Sequence, residues 1–358
     1  MAVALVKFAA LVDHLLAVHN FLKKKLKTSR IFDVLSFFFF LHHKNTMKKM
    51  TIRFKNEQDL LIQKMMYFND YSEKSLLLLS QSGKNNELSF IYKSEEDHKL
   101  DGFFKKFSNI EDVKYSQYDY IVDYPFFSNS NYFYEVLKKT IDSIIEYARL
   151  SDYWNLSSSR KNVAVANMLL AITNLHNDGI SHGYISYYSN LKYFISQIQY
   201  ISDEKAYSNL MLKIQHLTDI ENEFIDSSIT VPVNLFASLE SLNCYLKKNE
   251  ENLNLTKLPS PENFFSNSLI NMEYSEFHTK VFNNELLINR YKKFDFSVYR
   301  IIMGLYFQML PLLGVSLLKR NHIIYMLVSH IETNLSINWE SQIEESIKME
   351  LYTNAGKE

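Results

Sequence analysis

The run Glu95-Glu96-Asp97-His98 places three carboxylates and an imidazole side by side, directly after a predicted strand at Glu87–Tyr92. Carboxylates and imidazoles are common metal ligands, so these four residues could in principle hold a metal ion. A solvated, charged turn explains the same run with fewer assumptions. We therefore predict a turn here and no metal site.

The cysteine and glycine content excludes several kinds of cofactor site. The chain has 358 residues and one cysteine, Cys244, which rules out a disulfide framework, a four-cysteine zinc ribbon and an iron–sulfur centre. It has seven glycines and neither a GxxxxGK[ST] nor a GxGxxG motif, so we predict no nucleotide cradle and no cofactor. A net charge of −1 gives no general attraction for nucleic acid, and we expect no nucleic-acid partner.

The segment Leu175–Tyr184 resembles the catalytic loop of a protein kinase, with His182 in the histidine position. Tyr184 stands where the aspartate base belongs, and Ser189 stands where an asparagine belongs. No glycine-rich loop precedes the segment and no Asp-Phe-Gly follows it. A helical hairpin explains the same residues, so a pseudokinase-like helical protein is an alternative interpretation only.

The elements that must position such side chains are predicted to form an α+β fold. Short β-rich or alternating runs come first, and apolar stripes at three- and four-residue steps follow. The prediction is an N-terminal sheet followed by a mainly helical C-terminal half. The predicted strands are Thr51–Phe54, Ser75–Leu79, Glu87–Tyr92 and Tyr115–Val122.

Two αα-hairpins are predicted in the helical half. In the first, Gly179-Ile180-Ser181 joins two helices, with Gly179 as a left-handed C-cap and Ser181 as the next N-cap. In the second, Gly314-Val315-Ser316 joins the apolar helix Ile301–Leu313 to a helix at Leu317–Leu335, and Pro311 should kink or end the first of these. Residues 202–265, rich in Asn, Ser and Lys, are interpreted as helical fragments around a flexible link.

Residues 1–46 differ from the remainder of the chain. They carry seven Lys or Arg against two acids, a net charge of +5, and two apolar runs that are interrupted by charges. We interpret them as a basic and apolar N-terminal extension that need not belong to the domain, and 47–358 as a single α+β domain. Membrane contact is expected through residues 1–46 if at all. Without a clean export signal or disulfides, the expected location is the cytoplasm.

Taken in order, most of these elements resemble the small domain of lantibiotic dehydratases, also found as stand-alone thiopeptide-type bacteriocin biosynthesis proteins. That family has an early strand similar to Phe90-Ile91-Tyr92 and then a turn with a histidine, as at His98. A tyrosine-rich segment is similar to Tyr118–Tyr124, and a middle αα-hairpin is similar to Gly179-Ile180-Ser181. The family ends with a helix, a hinge and a last helix, as at Leu313-Gly314-Val315-Ser316.

This resemblance implies a role in modifying ribosomally synthesised peptides. Members of the family remove glutamate from glutamylated Ser or Thr to give dehydroamino acids, or fuse two dehydroalanines into a pyridine ring. Elimination needs a base for the α-proton and cations for the developing negative charge. The implied partners are a precursor peptide and a larger dehydratase subunit.

The chain departs from the family at the positions that matter most for elimination. Where the family's strand carries an arginine next to the tyrosine, this chain has Ile91-Tyr92-Lys93, and Phe126-Phe127 replaces a glycine pair. The histidines of the C-terminal helix fall on Tyr306 and Gln308, and the Asn-Arg pair falls on Leu310-Pro311. Most of the arginine and histidine side chains that the family would use as cations are therefore missing.

Two hypotheses follow. In a divergent lyase, Tyr306 acts as the acid or base, Lys93 and His98 replace the missing cations, and these residues converge with Gln308 on one concave pocket. In a non-catalytic partner, the chain holds the precursor peptide in an apolar or aromatic groove, or at an exposed sheet edge near Glu87–Tyr92.

Overall fold

The computed structural model describes residues 47–56, 58–60, 64, 77–82, 86–93, 109–201, 204–225, 229–258 and 275–355. The chain divides into two units between Thr46 and Met47, and all described residues belong to the second unit. The predicted N-terminal extension, the acidic run 95–98 and part of the predicted link therefore lie outside the described residues.

Four antiparallel strands form one sheet in the order β2-β3-β1-β4. Met50, Ile52 and Phe54 alternate along one face of β1 and are fully buried, because residues two apart in a strand point to the same side. β3 pairs with β1 on one side and with β2 on the other. The strands are β1 Met47–Phe54, β2 Leu77–Ser82, β3 Glu87–Lys93 and β4 Ile110–Tyr118.

Helices make up nearly all of the remaining described chain, which confirms the predicted α+β class. Short 3₁₀ turns lie at Tyr153–Asn155, Glu250–Asn252, Leu255–Lys257 and Leu310–Leu313. The α-helices are α1 Tyr120–Asp123, α2 Ser130–Leu150, α3 Ser158–Thr173, α4 Ile180–Ile201, α5 Glu204–Ile225, α6 Val233–Lys248, α7 Glu276–Phe282, α8 Glu285–Tyr291, α9 Phe294–Met309, α10 Leu317–Leu335 and α11 Trp339–Ala355.

Both predicted hinges are present. The first joins α3 to α4, which pack on each other, and the second joins α9 to α10, which packs mainly on α3, α4 and α5. The hinge glycines adopt the left-handed conformation, with φ of +75° at Gly179 and +74° at Gly314. Ser316 caps α10 by accepting a hydrogen bond from the Lys319 backbone N–H. α9 stops at Met309 and continues as a 3₁₀ turn containing Pro311, which cannot donate the helical hydrogen bond.

Several predicted boundaries were wrong. The predicted strand Tyr115–Val122 ends at Tyr118, because the Asp119 side chain accepts a hydrogen bond from the Ile121 N–H and starts α1. α4 begins one residue before Ser181, which is therefore not its N-cap. The helical fragments predicted within residues 202–265 are two full helices, α5 and α6, which are longer than expected because polar surface residues mask their buried stripes.

The predicted exposed sheet edge at Glu87–Tyr92 was also wrong. This segment is β3, which lies inside the sheet, and its Leu88, Phe90, Ile91 and Tyr92 are fully buried. The edges are β2 and β4. Chain order does not fix strand order, so the sequence pattern identified the strand but not its place in the sheet.

Helix α9 lies at the centre of the helical half. Together with the following 3₁₀ turn, it is the one helix among the described residues that is long and apolar enough to cross a membrane, yet 72% of its most apolar stretch is buried inside the protein. Tyrosine hydroxyls in this core donate to helix carbonyls, as from Tyr299 to Gly183 O (2.8 Å) and from Tyr153 to Leu313 O (2.9 Å). These bonds let an aromatic core bury its polar atoms.

Candidate functional site

Tyr306 and Gln308 lie on opposite sides of α9, since two residues along an α-helix turn through about 200°. Tyr306 is fully buried, and burial raises the pKa of its phenol well above the usual value. Its hydroxyl contacts Ser143 Oγ, which itself donates to Thr140 O (2.7 Å), so the tyrosine is the donor. Gln308 is exposed. The structure does not bring these two candidates together.

Lys93 contacts a different part of the molecule from Tyr306. Its ammonium lies 4.8 Å from the ring centroid of Tyr134, a cation–π contact at the start of α2. Tyr306 contacts Ser143, which is nine residues further along the same helix, a separation of about 13 Å. His98 lies outside the described residues. Lys93, Tyr306 and Gln308 therefore do not form one site.

Aromatic side chains fill the region where the resemblance expects a glycine pair. Phe127 and Tyr124 lie 5.4 Å and 4.8 Å from Phe133 between ring centroids, and Phe126 lies 4.9 Å from Phe127. Phe127, Tyr124 and Phe133 are all nearly fully buried. The bulky pair Phe126-Phe127 thus serves packing, and it leaves no glycine at which a peptide backbone could approach closely.

The outer edge of β4 carries a surface of a different kind, which we call the β4–α1 surface (residues 110–123). No described strand pairs with β4 on the side away from β1. Three large hydrophobic residues are exposed there: Tyr115 by 54%, Ile121 by 50% and Val122 by 67%. The same stretch carries four acids and one base, namely Glu111, Asp112, Asp119, Asp123 and Lys114.

Sequence reasoning found the β4 strand but not its role as an edge. The signal was present, because charged residues within a strand are a common device for protecting an open edge. The exposed pair Ile121-Val122 carried no local signal, since it was predicted to continue the strand. The β4–α1 surface combines a strand edge that pairs with no other described strand, exposed apolar side chains and negative charge.

A charged network joins α8 and α11 to the hinge of the first hairpin. Arg290, 8% exposed, contacts the Asp178 carboxylate and lies 3.1 Å from Glu350 Oε1, which also binds Lys293 Nζ at 2.5 Å. His176 Nδ1 accepts the Asp178 backbone N–H at 3.1 Å, and burial lowers its pKa to about 4. Each buried charge here is paired, so the network is structural.

The described residues contain no group of three or more His, Cys, Asp or Glu placed to hold a metal ion. The chain matches no known family model, and no curated protein is significantly similar to it.

Proposed function

We propose that this chain is a maturation protein for a ribosomally synthesised, bacteriocin-type peptide, and that it binds the precursor peptide without eliminating glutamate itself. The observation that carries the proposal is the β4–α1 surface, whose outer strand edge pairs with no described strand, together with the enclosure of Tyr306. The resemblance to the small domain of lantibiotic dehydratases supplies the peptide class.

An extended peptide can add to β4 as a further strand. Backbone hydrogen bonds to the outer edge supply affinity, and alternate side chains supply specificity. The exposed Tyr115, Ile121 and Val122 offer apolar contacts to such a peptide. Four acids against one base in the same stretch favour a peptide segment that carries Lys or Arg.

A lyase acting at the predicted residues is the less favoured function. Elimination requires an acid–base group and a cation facing one substrate. The Tyr306 hydroxyl is buried against Ser143, Gln308 faces outward, and Lys93 packs on Tyr134. A larger dehydratase subunit would then perform the chemistry, in the cytoplasm, on a peptide that this chain presents.

The test is co-expression of the full chain with a bacteriocin-type precursor peptide and a glutamylating dehydratase. We expect the tagged chain to retain the peptide, with the peptide mass unchanged by its presence. Tyr115→Ala combined with Glu111→Lys should reduce retention at least tenfold. The control is Tyr352→Ala on α11, which removes another surface tyrosine, 79% exposed, away from β4.

Two outcomes would contradict the proposal. One is loss of glutamate or water from the peptide only when the chain is present, which would establish a lyase. The other is retention that is absent, or that Tyr352→Ala reduces as much as the β4 variant does.

A further inference from the structure

Helices α4 and α7 bring together two serines and a histidine that the proposed function does not use. Ser189 Oγ on α4 lies 3.1 Å from Nε2 of His278 on α7. The other ring nitrogen, Nδ1, lies 2.7 Å from Ser275 Oγ. His278 is buried, with 5% exposure, whereas Ser189 is half-buried and open to solvent. A hydroxyl, an imidazole and an orienting group in this order form the arrangement of an activated nucleophile.

Ser189 directs its hydroxyl away from its own helix. Helical hydroxyls commonly donate to the carbonyl four residues earlier, as Thr140 does to Val136 and Thr173 does to Leu169. Among the described contacts, the Ser189 hydroxyl makes its one hydrogen bond to His278 instead. The distance fits donation in either direction, and acceptance by Nε2 is the tautomer that a general base requires.

This donor assignment fixes the tautomer of His278. With Nε2 accepting, Nδ1 carries the ring proton and donates it to Ser275 Oγ. The same oxygen also accepts the His278 backbone N–H, at 3.4 Å, as the N-cap of α7. Ser275 therefore bonds both the ring and the backbone N–H of His278. Burial lowers the pKa of His278 to about 4, so the imidazole is neutral at pH 7.

We propose that Ser189 is a nucleophile for acyl transfer, with His278 as its general base and Ser275 as a positioning residue. The substrate class is a carboxylic ester with an apolar acyl group. The surroundings of the pair are aromatic: the rings of Tyr188 and Phe277, each next in sequence to one of the two residues, lie 5.3 Å apart, and the Phe282 ring lies 5.9 Å from the His278 ring, between centroids.

The reaction balances without a cofactor. As Ser189 Oγ bonds to the ester carbonyl carbon, its proton passes to His278 Nε2. The tetrahedral intermediate then collapses, the bond to the leaving oxygen breaks, and the imidazolium returns its proton to that oxygen. Water releases the acyl group from Ser189 by the same two steps, and nothing is oxidised or reduced.

The test uses the full chain with p-nitrophenyl butyrate. We expect a burst of nitrophenolate and a butyryl group on Ser189, located by peptide mass spectrometry. Ser189→Ala should abolish both. His278→Gln should slow acylation by about 100-fold or more, in line with the usual contribution of a general base. Ser275→Ala should slow it about tenfold. Ser275→Gly, which is nearly as good an N-cap but has no hydroxyl to orient the ring, should slow it as much, whereas a purely capping role predicts a near-normal rate for it.

Ser238→Ala on α6 is the matched control, because that serine makes the ordinary bond to the carbonyl four residues earlier. It should leave acylation unchanged. If Ser189 remains unacylated, or if His278→Gln is acylated at the wild-type rate while its unfolding midpoint is unchanged, the proposal is wrong. Retention of the precursor peptide is measured separately, so failure here leaves the proposed function intact.

Discussion

At the scale of single residues, burial decides what a polar side chain can do. Tyr306 and Ser143 show this, because a hydroxyl that looks like an acid–base group in the sequence is fully enclosed and bonded in the structure. A hydroxyl enclosed in this way contributes to packing and cannot reach a substrate. The same reasoning separates Ser189, which is half-buried and bonded to an imidazole, from the serines that bond their own helix.

Tyr306→Phe should therefore cost stability and leave peptide binding unchanged. The variant loses one buried hydrogen bond, worth about 1 kcal/mol, while Ser143 keeps its bond to Thr140 O. Urea unfolding measures the loss, with the exposed Tyr352→Phe as the control. A Tyr306→Phe protein of wild-type stability that no longer retains or processes the peptide would instead indicate a chemical role.

His176 and His278 should make the protein less stable in mild acid. Burial lowers both pKa values from about 6.5 to about 4, so the unfolded chain takes up protons more readily than the folded one. This stabilisation is fully present above pH 6.5 and is lost as the pH falls toward 4, by at most about 3 kcal/mol for each histidine.

The measurement is the free energy of unfolding in urea between pH 7 and pH 4.5. His176→Asn retains an acceptor for the Asp178 N–H but cannot be protonated there. Its stability should fall less steeply with acid than that of the wild type. Equal slopes for the two proteins would show that His176 does not contribute.

At the scale of elements, the helix pairs α3–α4 and α9–α10 depend on glycines in different ways. Gly314 supplies a left-handed hinge, whereas Gly183 allows α3 and α4 to approach each other closely. A Cβ atom at residue 183 would lie 2.3 Å from the Thr173 carbonyl oxygen, which is backbone and cannot move without shifting α3.

Gly183→Ala should destabilise the protein by about 3 kcal/mol, at the upper end of overpacking costs, or prevent folding. Gly304→Ala is the matched control. It is also a helical glycine, but a Cβ there meets nothing within 4 Å, so we expect a gain of up to about 1 kcal/mol from helix propensity. Thermal unfolding of both variants checks this, and equal midpoints would contradict the close approach.

At the scale of the whole molecule, Arg290 connects regions far apart in the chain. It bonds to Asp178, 112 residues earlier, and to Glu350, 60 residues later. Arg290→Met should destabilise the protein by about 3–5 kcal/mol, because it leaves the Glu350 carboxylate, 5% exposed, without its buried partner. Arg149→Met, at an exposed position on α2, should have little effect.

A second change tests whether the loss comes from the unpaired charge. Arg290→Met combined with Glu350→Met should recover part of the stability, because both charges are then removed from the interior. If the double variant is less stable than Arg290→Met alone, the single variant's loss reflects packing instead.

Residues 47–358 should fold without residues 1–46. The contacts of the chain divide between Thr46 and Met47, and β1 begins at Met47. Expressed alone, the shorter chain should unfold in urea at the midpoint of the full chain. A lower midpoint, or failure to fold, would show that the first 46 residues stabilise the domain.

Features that depend on near neighbours along the chain could be predicted from the amino-acid sequence. Apolar stripes predicted the helices on either side of the two hinges, and glycines at residues 179 and 314 marked the hinges themselves, because few other residues adopt a positive φ. Composition excluded the common cofactor sites. The α+β class followed from the order of these local signals.

Contacts between residues far apart in the sequence could not be predicted from local patterns and were seen in the folded structure. It placed β3 inside the sheet and β4 at its edge, enclosed Tyr306, and brought Ser189 to His278 across 89 residues. Such contacts depend on how helices and strands pack over the whole core. That packing is the sum of many weak van der Waals contacts, so no single segment of the sequence predicts it. The candidate sites of this protein are set by packing, whereas the local pattern set its helices and turns.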